Sequence, residues 1–119
     1  MANPGKSELS PTDFIVALMT APDSQVAERI ARVLVDEQLA ACVNILPGLR
    51  SLYRWEGKLC DETEVLCIAK TRLELFPALG ERIAALHPYQ VPEIIALPLV
   101  SASVPYLAWV MRSTSRPAG

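Results

Sequence analysis

The chain has 119 residues, of which 51% are apolar and 20% charged, with a net charge of −2 and a pI near 5.4. Its Lys and Arg residues are scattered rather than grouped, which argues against nucleic acid as a partner. The apolar runs are far shorter than the roughly 20 residues of a membrane-spanning helix, so no membrane span is predicted. A chain of this length forms one domain, and its mean hydropathy of +0.27 predicts that some apolar surface faces another subunit.

The two ends of the chain differ in composition from its middle. Residues 1–12 mix Pro, Gly, Lys, Glu and Ser without an apolar run, and we interpret them as a disordered leader. We expect residues 113–119 to form a flexible tail. A single domain over residues 13–112 is therefore predicted.

Three cysteines, Cys42, Cys60 and Cys67, make an odd number at spacings that fit neither a zinc site nor a redox pair. We therefore expect reduced, unpaired thiols and a cytoplasmic protein. Neither Cys60 nor Cys67 has a neighbouring His in the sequence to activate it. Phosphate-binding glycine loops, nucleophile elbows and zinc-protease motifs are also missing, so we predict that the protein is not an enzyme.

The first predicted elements are a strand and a helix. Residues 14–20 form a short apolar run that ends before Pro22, which favours a buried strand over a helix. From Val26 onward, apolar residues recur at i, i+4, i+7 and i+8 with polar residues between them. This spacing predicts an amphipathic helix whose first free amides are capped by Asp23 or Ser24.

A long hairpin is predicted next. Residues 40–46 have strand character, and Pro47-Gly48 bends the chain into an arm, 49–55, whose apolar residues alternate. Residues 56–58 turn the arm, and 64–70 run back as the third strand.

The second predicted helix contains a proline. Thr71 and Glu74 have the spacing of a capping box, and a helical apolar pattern continues from there to His87. Pro77 falls inside this pattern, where an interior proline costs about 3 kcal/mol. The helix is therefore either kinked or preceded by a separate first turn, and we favour a separate turn with Pro77 near the first helical position.

Residues 93–100 are the fourth predicted strand, with Pro98 at a sheet edge or strand end, and 105–112 form a terminal helix. The order β-α-β-β-α-β is that of the ferredoxin-like α+β fold, an antiparallel sheet with both crossover helices on one face. The first, third and fourth predicted strands are nevertheless apolar at consecutive positions, as in strands buried on both faces. We expect sister subunits to cover the second face.

Four blocks of sequence carry a more specific signal: AACVNILPG at 40–48, SLYRWEGK at 51–58, KT at 70–71 and HPYQVPEI at 87–94. In this order and spacing they closely resemble the CutA family of divalent-cation tolerance proteins, over roughly 14–111. The resemblance implies a homotrimer with the ferredoxin-like fold, related in assembly to the PII signalling proteins. It also implies that the hairpin arms reach neighbouring subunits.

The resemblance further implies a link to copper, through a Cys near the end of the first strand and His residues beside the His-Pro-Tyr motif. Here Met19 stands in place of that Cys and Leu86 precedes His87, so His87 alone remains as a metal-ligand candidate. A thioether and one imidazole make a poor Cu(II) site, so we expect only weak binding of copper or another divalent cation. Alternatively, His87 caps the last carbonyls of its helix.

The candidates for a ligand cleft between subunits are Tyr53, Trp55, Lys70, Tyr89 and Glu93. Tyr53 and Trp55 share one face of the arm, where packing against a neighbouring subunit is the alternative interpretation. Lys70 ends the third predicted strand, and strand-end residues often line clefts. The sequence thus favours a CutA-type metal tolerance protein; the alternative is a PII-like signalling module that binds a small anionic ligand in these clefts.

Overall fold

The computed structural model describes residues 9–115. It contains strands β1 (Phe14–Ala21), β2 (Cys42–Trp55), β3 (Lys58–Arg72) and β4 (Ile94–Pro98), and helices α1 (Ser24–Asp36), α2 (Phe76–Leu86) and α3 (Val104–Ser113). The strands form one antiparallel sheet in the order β2-β3-β1-β4. This order and the crossover connections confirm the predicted ferredoxin-like α+β fold.

The main core lies between the sheet and helices α1 and α2. Side chains alternate along β1, so every second residue of that strand faces the helices. The buried side chains of this core come mainly from β1, β3, α1 and α2, namely Ile15, Ala17, Met19, Ala21, Val65, Cys67, Ala69, Ala27, Ile30, Leu34, Leu79 and Ile83. Helix α1 begins at the predicted cap, since the Asp23 carboxylate accepts a hydrogen bond from the Val26 amide at 2.8 Å.

The start of α2 follows the favoured prediction in one respect and departs from it in another. A separate 3₁₀ turn, Leu73–Leu75, precedes the helix, and Pro77 lies in its first turn, where no intrahelical amide is lost. The predicted capping box is wrong. The Thr71 hydroxyl donates to the Leu39 carbonyl at 2.7 Å, because Thr71 is still part of β3 and faces the interior.

The second face of the sheet is only partly covered. Helix α3 packs there, and Leu107 and Val110 form a small core with Phe14 and Ala41. Beyond α3, Ile95 and Leu97 on β4 are 47% and 52% exposed within this chain. The apolar residues that the sequence assigns to a doubly buried sheet therefore lie open on this side.

The packed part of the chain extends beyond the predicted domain of 13–112. Leu9 packs against the α3 core. Thr114 is fully buried, and its hydroxyl and carbonyl oxygens accept hydrogen bonds from the Arg72 guanidinium at 2.9 and 2.7 Å. The rest of the predicted leader and tail, 1–8 and 116–119, lies outside the described residues. Within 9–115, no helix is long and apolar enough to cross a membrane.

Strands β2 and β3 continue past the sheet as a hairpin arm. The pairing register shifts between Leu46 and Leu49, so that Pro47 and Gly48 form a bulge in β2. Gly48 has φ of +85°, which a side chain would disfavour, and Pro47 has no amide to lose from the ladder. The predicted bend is therefore a β-bulge within one long strand.

The tip of the arm is a two-residue turn, Glu56-Gly57, with φ of +49° and +80°. Positive φ at both positions matches the right-handed twist of the two strands, and glycine adopts it at no steric cost. Because this turn pairs Trp55 with Lys58, β3 begins at Lys58, earlier than the predicted start at residue 64.

Replacing Ile30 with alanine tests the helix-covered core. Ile30 is fully buried between α1 and the sheet, so Ile30→Ala should lower the free energy of unfolding by about 2–5 kcal/mol. Val35→Ala on the same helix is the control, because Val35 is 44% exposed, and its effect should stay within about 0.5 kcal/mol. Urea unfolding of both variants at one protein concentration measures the difference. Equal losses would contradict the assignment of this core.

Candidate functional site

A cleft of about 650 Å³ opens where the arm leaves the sheet. Its walls are the β2 arm, the end of β1, the middle of β3, and the connector between α2 and β4. The cleft brings together four of the predicted site residues, Tyr53, Trp55, Tyr89 and Glu93. These four residues thus line one cleft within a single chain, and a ligand site between subunits stays a prediction.

Lys70 does not line this cleft. It lies two residues before the end of β3, opposite Val16 and Cys42, and its ammonium group donates to the Asn44 side chain on β2. The prediction placed Lys70 at the strand end, whereas β3 continues to Arg72. Its side chain is therefore held away from the arm.

Glu64 is a cleft residue that the sequence analysis missed. It is only 5% exposed, and its Oε2 accepts a hydrogen bond from the Tyr89 hydroxyl at 2.9 Å. Burial, together with the hydrogen bond to Glu64 and its charge, raises the pKa of Tyr89 far above the usual range. Burial and the nearby carboxylates of Glu62 and Glu64 also raise the pKa of Tyr53. Both phenols therefore stay neutral hydrogen-bond donors beside a carboxylate.

Arg50 also lines the cleft, but its charge is already paired. Its Nε and Nη2 donate to the two carboxylate oxygens of Asp61 at 2.8 and 2.6 Å across the hairpin. This bidentate contact lowers the pKa of Asp61, so the carboxylate is ionised at neutral pH. The pair contributes no net charge to the cleft.

His87 fixes the connector that carries Tyr89. Its Nδ1 accepts a hydrogen bond from the Tyr89 amide at 3.1 Å, so Nδ1 is unprotonated in this arrangement. The proton is therefore on Nε2, which donates to the Thr20 carbonyl at 2.7 Å. The buried imidazole thus ties the end of β1 to the connector, and it does not cap the carbonyls of α2.

The described residues of one chain do not form a copper centre. Both ring nitrogens of His87 are engaged, and the Met19 side chain is buried in the main core. Within 9–115, no three side chains of His, Cys, Asp or Glu lie close enough together to hold a metal ion. Metal binding by His87 therefore stays a prediction, and it requires the imidazole to give up one of its hydrogen bonds.

All three cysteines are free thiols that differ in environment. Cys42 and Cys60 are partly exposed, whereas Cys67 on β3 is buried in the main core. Burial raises the pKa of the Cys67 thiol to about 11. Cys67 therefore behaves as a small apolar side chain.

The fold and the cleft together define a class of protein: a ferredoxin-like α+β domain with a long hairpin arm and a cleft of aromatic and acidic residues at its base. The family model described as CutA1 divalent ion tolerance protein matches residues 15–113 of this chain. The chain therefore belongs to the CutA1 family, as the resemblance of its four sequence blocks predicted.

Individual relatives agree with this assignment. The divalent-cation tolerance protein CutA of Thermus thermophilus is 52% identical over 99 residues, which span 83% of this chain and 96% of that protein. Mouse protein CutA is 45% identical over 104 residues, 87% of this chain and 59% of the mouse protein. A solved structure of the Thermus thermophilus Cut A1 protein superposes with a TM-score of 0.83 at 50% identity and covers 86% of this chain and 99% of that one.

The raised pKa of Cys67 predicts a slow thiol. The thiolate is the reacting form, so Cys67 should react with an aromatic disulfide reagent more slowly than Cys42 and Cys60 at pH 8, and faster as the pH rises towards about 11. Peptide mass spectrometry after timed labelling identifies the modified residue, and denatured protein should show three reactive thiols per chain. Rapid labelling of Cys67 in the native protein at pH 8 would contradict its burial.

Removing the Tyr89 hydroxyl tests whether its hydrogen bond stabilises the buried Glu64 carboxylate. Tyr89→Phe leaves the buried carboxylate without its hydrogen-bond donor, so the free energy of unfolding should fall by about 1–3 kcal/mol. Tyr106→Phe is the control, because the Tyr106 hydroxyl makes no hydrogen bond within the described chain and its loss should cost less than about 0.5 kcal/mol. Denaturant unfolding of both variants at pH 7 measures the difference; a Tyr89→Phe protein as stable as the control argues against the hydrogen bond.

Proposed function

We propose that this protein is a homotrimer that confers tolerance to divalent metal ions, with weak or indirect contact to the metal. Membership of the CutA1 family supports the role in tolerance, because the family and its relatives are described by that role. The observation that supports assembly is the open second face of the sheet. No catalytic activity is part of the proposal.

The second face is suited to cover by copies of the same chain. Leu46, Ile95 and Leu97 lie on it, each about half exposed, and they come from both edge strands of the sheet. A contiguous apolar surface of this kind is rare on monomers and is a feature of interaction sites. Closed symmetry buries such a face in every subunit without leaving an exposed copy, which favours a ring of identical chains.

Weak copper binding is the finer part of the proposal. His87 is the single histidine of the chain and lies beside the cleft, next to Tyr89. A metal at His87 competes with two existing hydrogen bonds, which keeps the affinity low. We place the protein in the cytoplasm, since its three free thiols suit a reducing compartment.

A ligand-binding module related in assembly to the PII proteins is the second candidate function. The cleft favours it, because aromatic and polar side chains converge there on a concave surface. The predicted anionic ligand is not favoured by the charges, since Glu64 and Glu93 line the cleft while Arg50 is paired with Asp61. Lys70, the cation expected to attract an anion, lies elsewhere in the chain.

A charge on the open face tests both assembly and function. Leu97→Lys places an ammonium group where we propose subunit contact, and an unpaired buried charge costs about 3–5 kcal/mol. Sedimentation velocity at micromolar concentration should show a trimer for the wild type and mainly monomers for Leu97→Lys. Val35→Lys is the matched control, because Val35 is similarly exposed on the helix-covered side, and it should remain trimeric.

The same variants separate assembly from tolerance. In cells lacking the gene, the wild-type chain and Val35→Lys should restore growth at inhibitory copper concentrations, whereas Leu97→Lys should not. A wild-type monomer in sedimentation refutes the trimer. A wild-type trimer that restores no tolerance to copper, zinc or cobalt refutes the proposed function.

A further inference from the structure

Two carboxylates of the cleft have no cationic partner within the described part of the chain. Glu64 is 5% exposed, and the single hydrogen bond of its side chain within residues 9–115 joins Oε2 to the neutral Tyr89 hydroxyl. Glu93 lines the same cleft and forms no ion pair with any residue that the structure describes. A buried carboxylate without a positive partner is costly in water-poor surroundings and attracts a cation.

The positively charged side chains near the cleft do not neutralise these two carboxylates. Arg50 is held by both oxygens of Asp61, and Lys70 is directed to Asn44 on the neighbouring strand. Glu62, two residues before Glu64, adds further negative charge near Tyr53. The cleft is therefore net negative, and charge complementarity favours a positively charged ligand.

Aromatic side chains form the rest of the surface next to these carboxylates. Tyr53 lies on the arm side and is partly exposed, and Tyr89 lies on the connector side, where its hydroxyl contacts Glu64. Trp55 lies nearer the tip of the arm, where it pairs with Lys58. Aromatic faces attract ammonium groups through their negative π surface. A cluster of aromatic rings beside a carboxylate is the chemistry that recognises organic ammonium ions.

We propose that the cleft binds a small organic cation, a primary or quaternary ammonium compound, with its charge held by Glu64 and its alkyl groups against the rings of Tyr53 and Tyr89. The cleft volume of about 650 Å³ is within the range of small-molecule sites. A bare divalent ion fits less well, since Mg²⁺ or Ca²⁺ needs about six oxygen ligands, whereas indole and phenol rings present few oxygens. This inference does not depend on the role in metal tolerance.

Calorimetric titration of the wild-type protein with choline, in EDTA and at low salt, tests the proposal directly. Its neutral isostere, 3,3-dimethyl-1-butanol, has the same shape without the charge, and sodium acetate supplies an anion. We expect choline to bind at least tenfold more tightly than either. Because EDTA removes metal ions, this result is distinct from the outcome of the copper experiments.

Three variants locate the site. Glu64→Gln keeps the shape and an oxygen that accepts from Tyr89 but removes the charge, so it should weaken choline binding at least tenfold. Tyr53→Leu should weaken it at least threefold through loss of the aromatic face. Glu81→Gln removes an exposed carboxylate on α2 outside the cleft and should leave binding unchanged. If Glu64→Gln fails to fold, Glu93→Gln and Tyr53→Leu provide the test.

Three outcomes overturn the proposal. The first is equal binding of choline and its neutral isostere, and the second is equal loss in Glu64→Gln and Glu81→Gln. The third is the absence of choline binding at millimolar concentration. If in that case Glu64→Gln also weakens the trimer in sedimentation, a cationic side chain of a second copy fills the cleft instead of a free ammonium compound.

Discussion

The central strand β1 lies between β3 and β4 and must be buried on both of its faces. Helices α1 and α2 cover one face and form the main core. On the other face, α3 reaches only the end of β1 where Phe14 is buried, and β4 is left with Ile95 and Leu97 half exposed. One chain therefore has too few elements to cover the second face of its own sheet. This shortage underlies the proposed assembly, because the missing layer is most simply supplied by identical copies.

The cleft depends on the same sheet in a different way. Its acidic residue, Glu64, lies where β3 passes from the sheet into the arm, opposite Leu49 just beyond the bulge. Tyr89 lies on the opposite wall of the cleft, on the connector between α2 and β4. It is positioned by His87, whose imidazole joins this connector to the Thr20 carbonyl of β1. The histidine that resembles a metal ligand in sequence thus positions a tyrosine in the structure. The charge of the cleft, in turn, favours organic cations over the anions that the sequence suggested.

Local chemistry made much of the fold predictable. Pro77 could be assigned to the start of a helix and Pro47-Gly48 to a bend because each acts on its own backbone. Contacts between distant residues were missed. The sequence predicts that Thr71 caps a helix, yet its hydroxyl donates to the Leu39 carbonyl, 32 residues away. Glu64 accepts a hydrogen bond from Tyr89, 25 residues away. Four of the five candidate cleft residues line one cleft within this chain, and Lys70 does not, since β3 runs two residues beyond the predicted strand.

The bulge at Gly48 and the turn at Glu56-Gly57 limit how the length of the arm can change. Side chains alternate with a period of two along each strand, and the turn fixes which residues face one another. Adding or removing two residues on each side of the turn keeps the strands paired, keeps the same type of residue pair next to the turn, and moves only the tip. An unmatched single insertion between the bulge and Tyr53 reverses the facing of that aromatic side chain. The arm can therefore lengthen or shorten only when both strands change together. The pairing of the strands on the other side of the bulge stays the same.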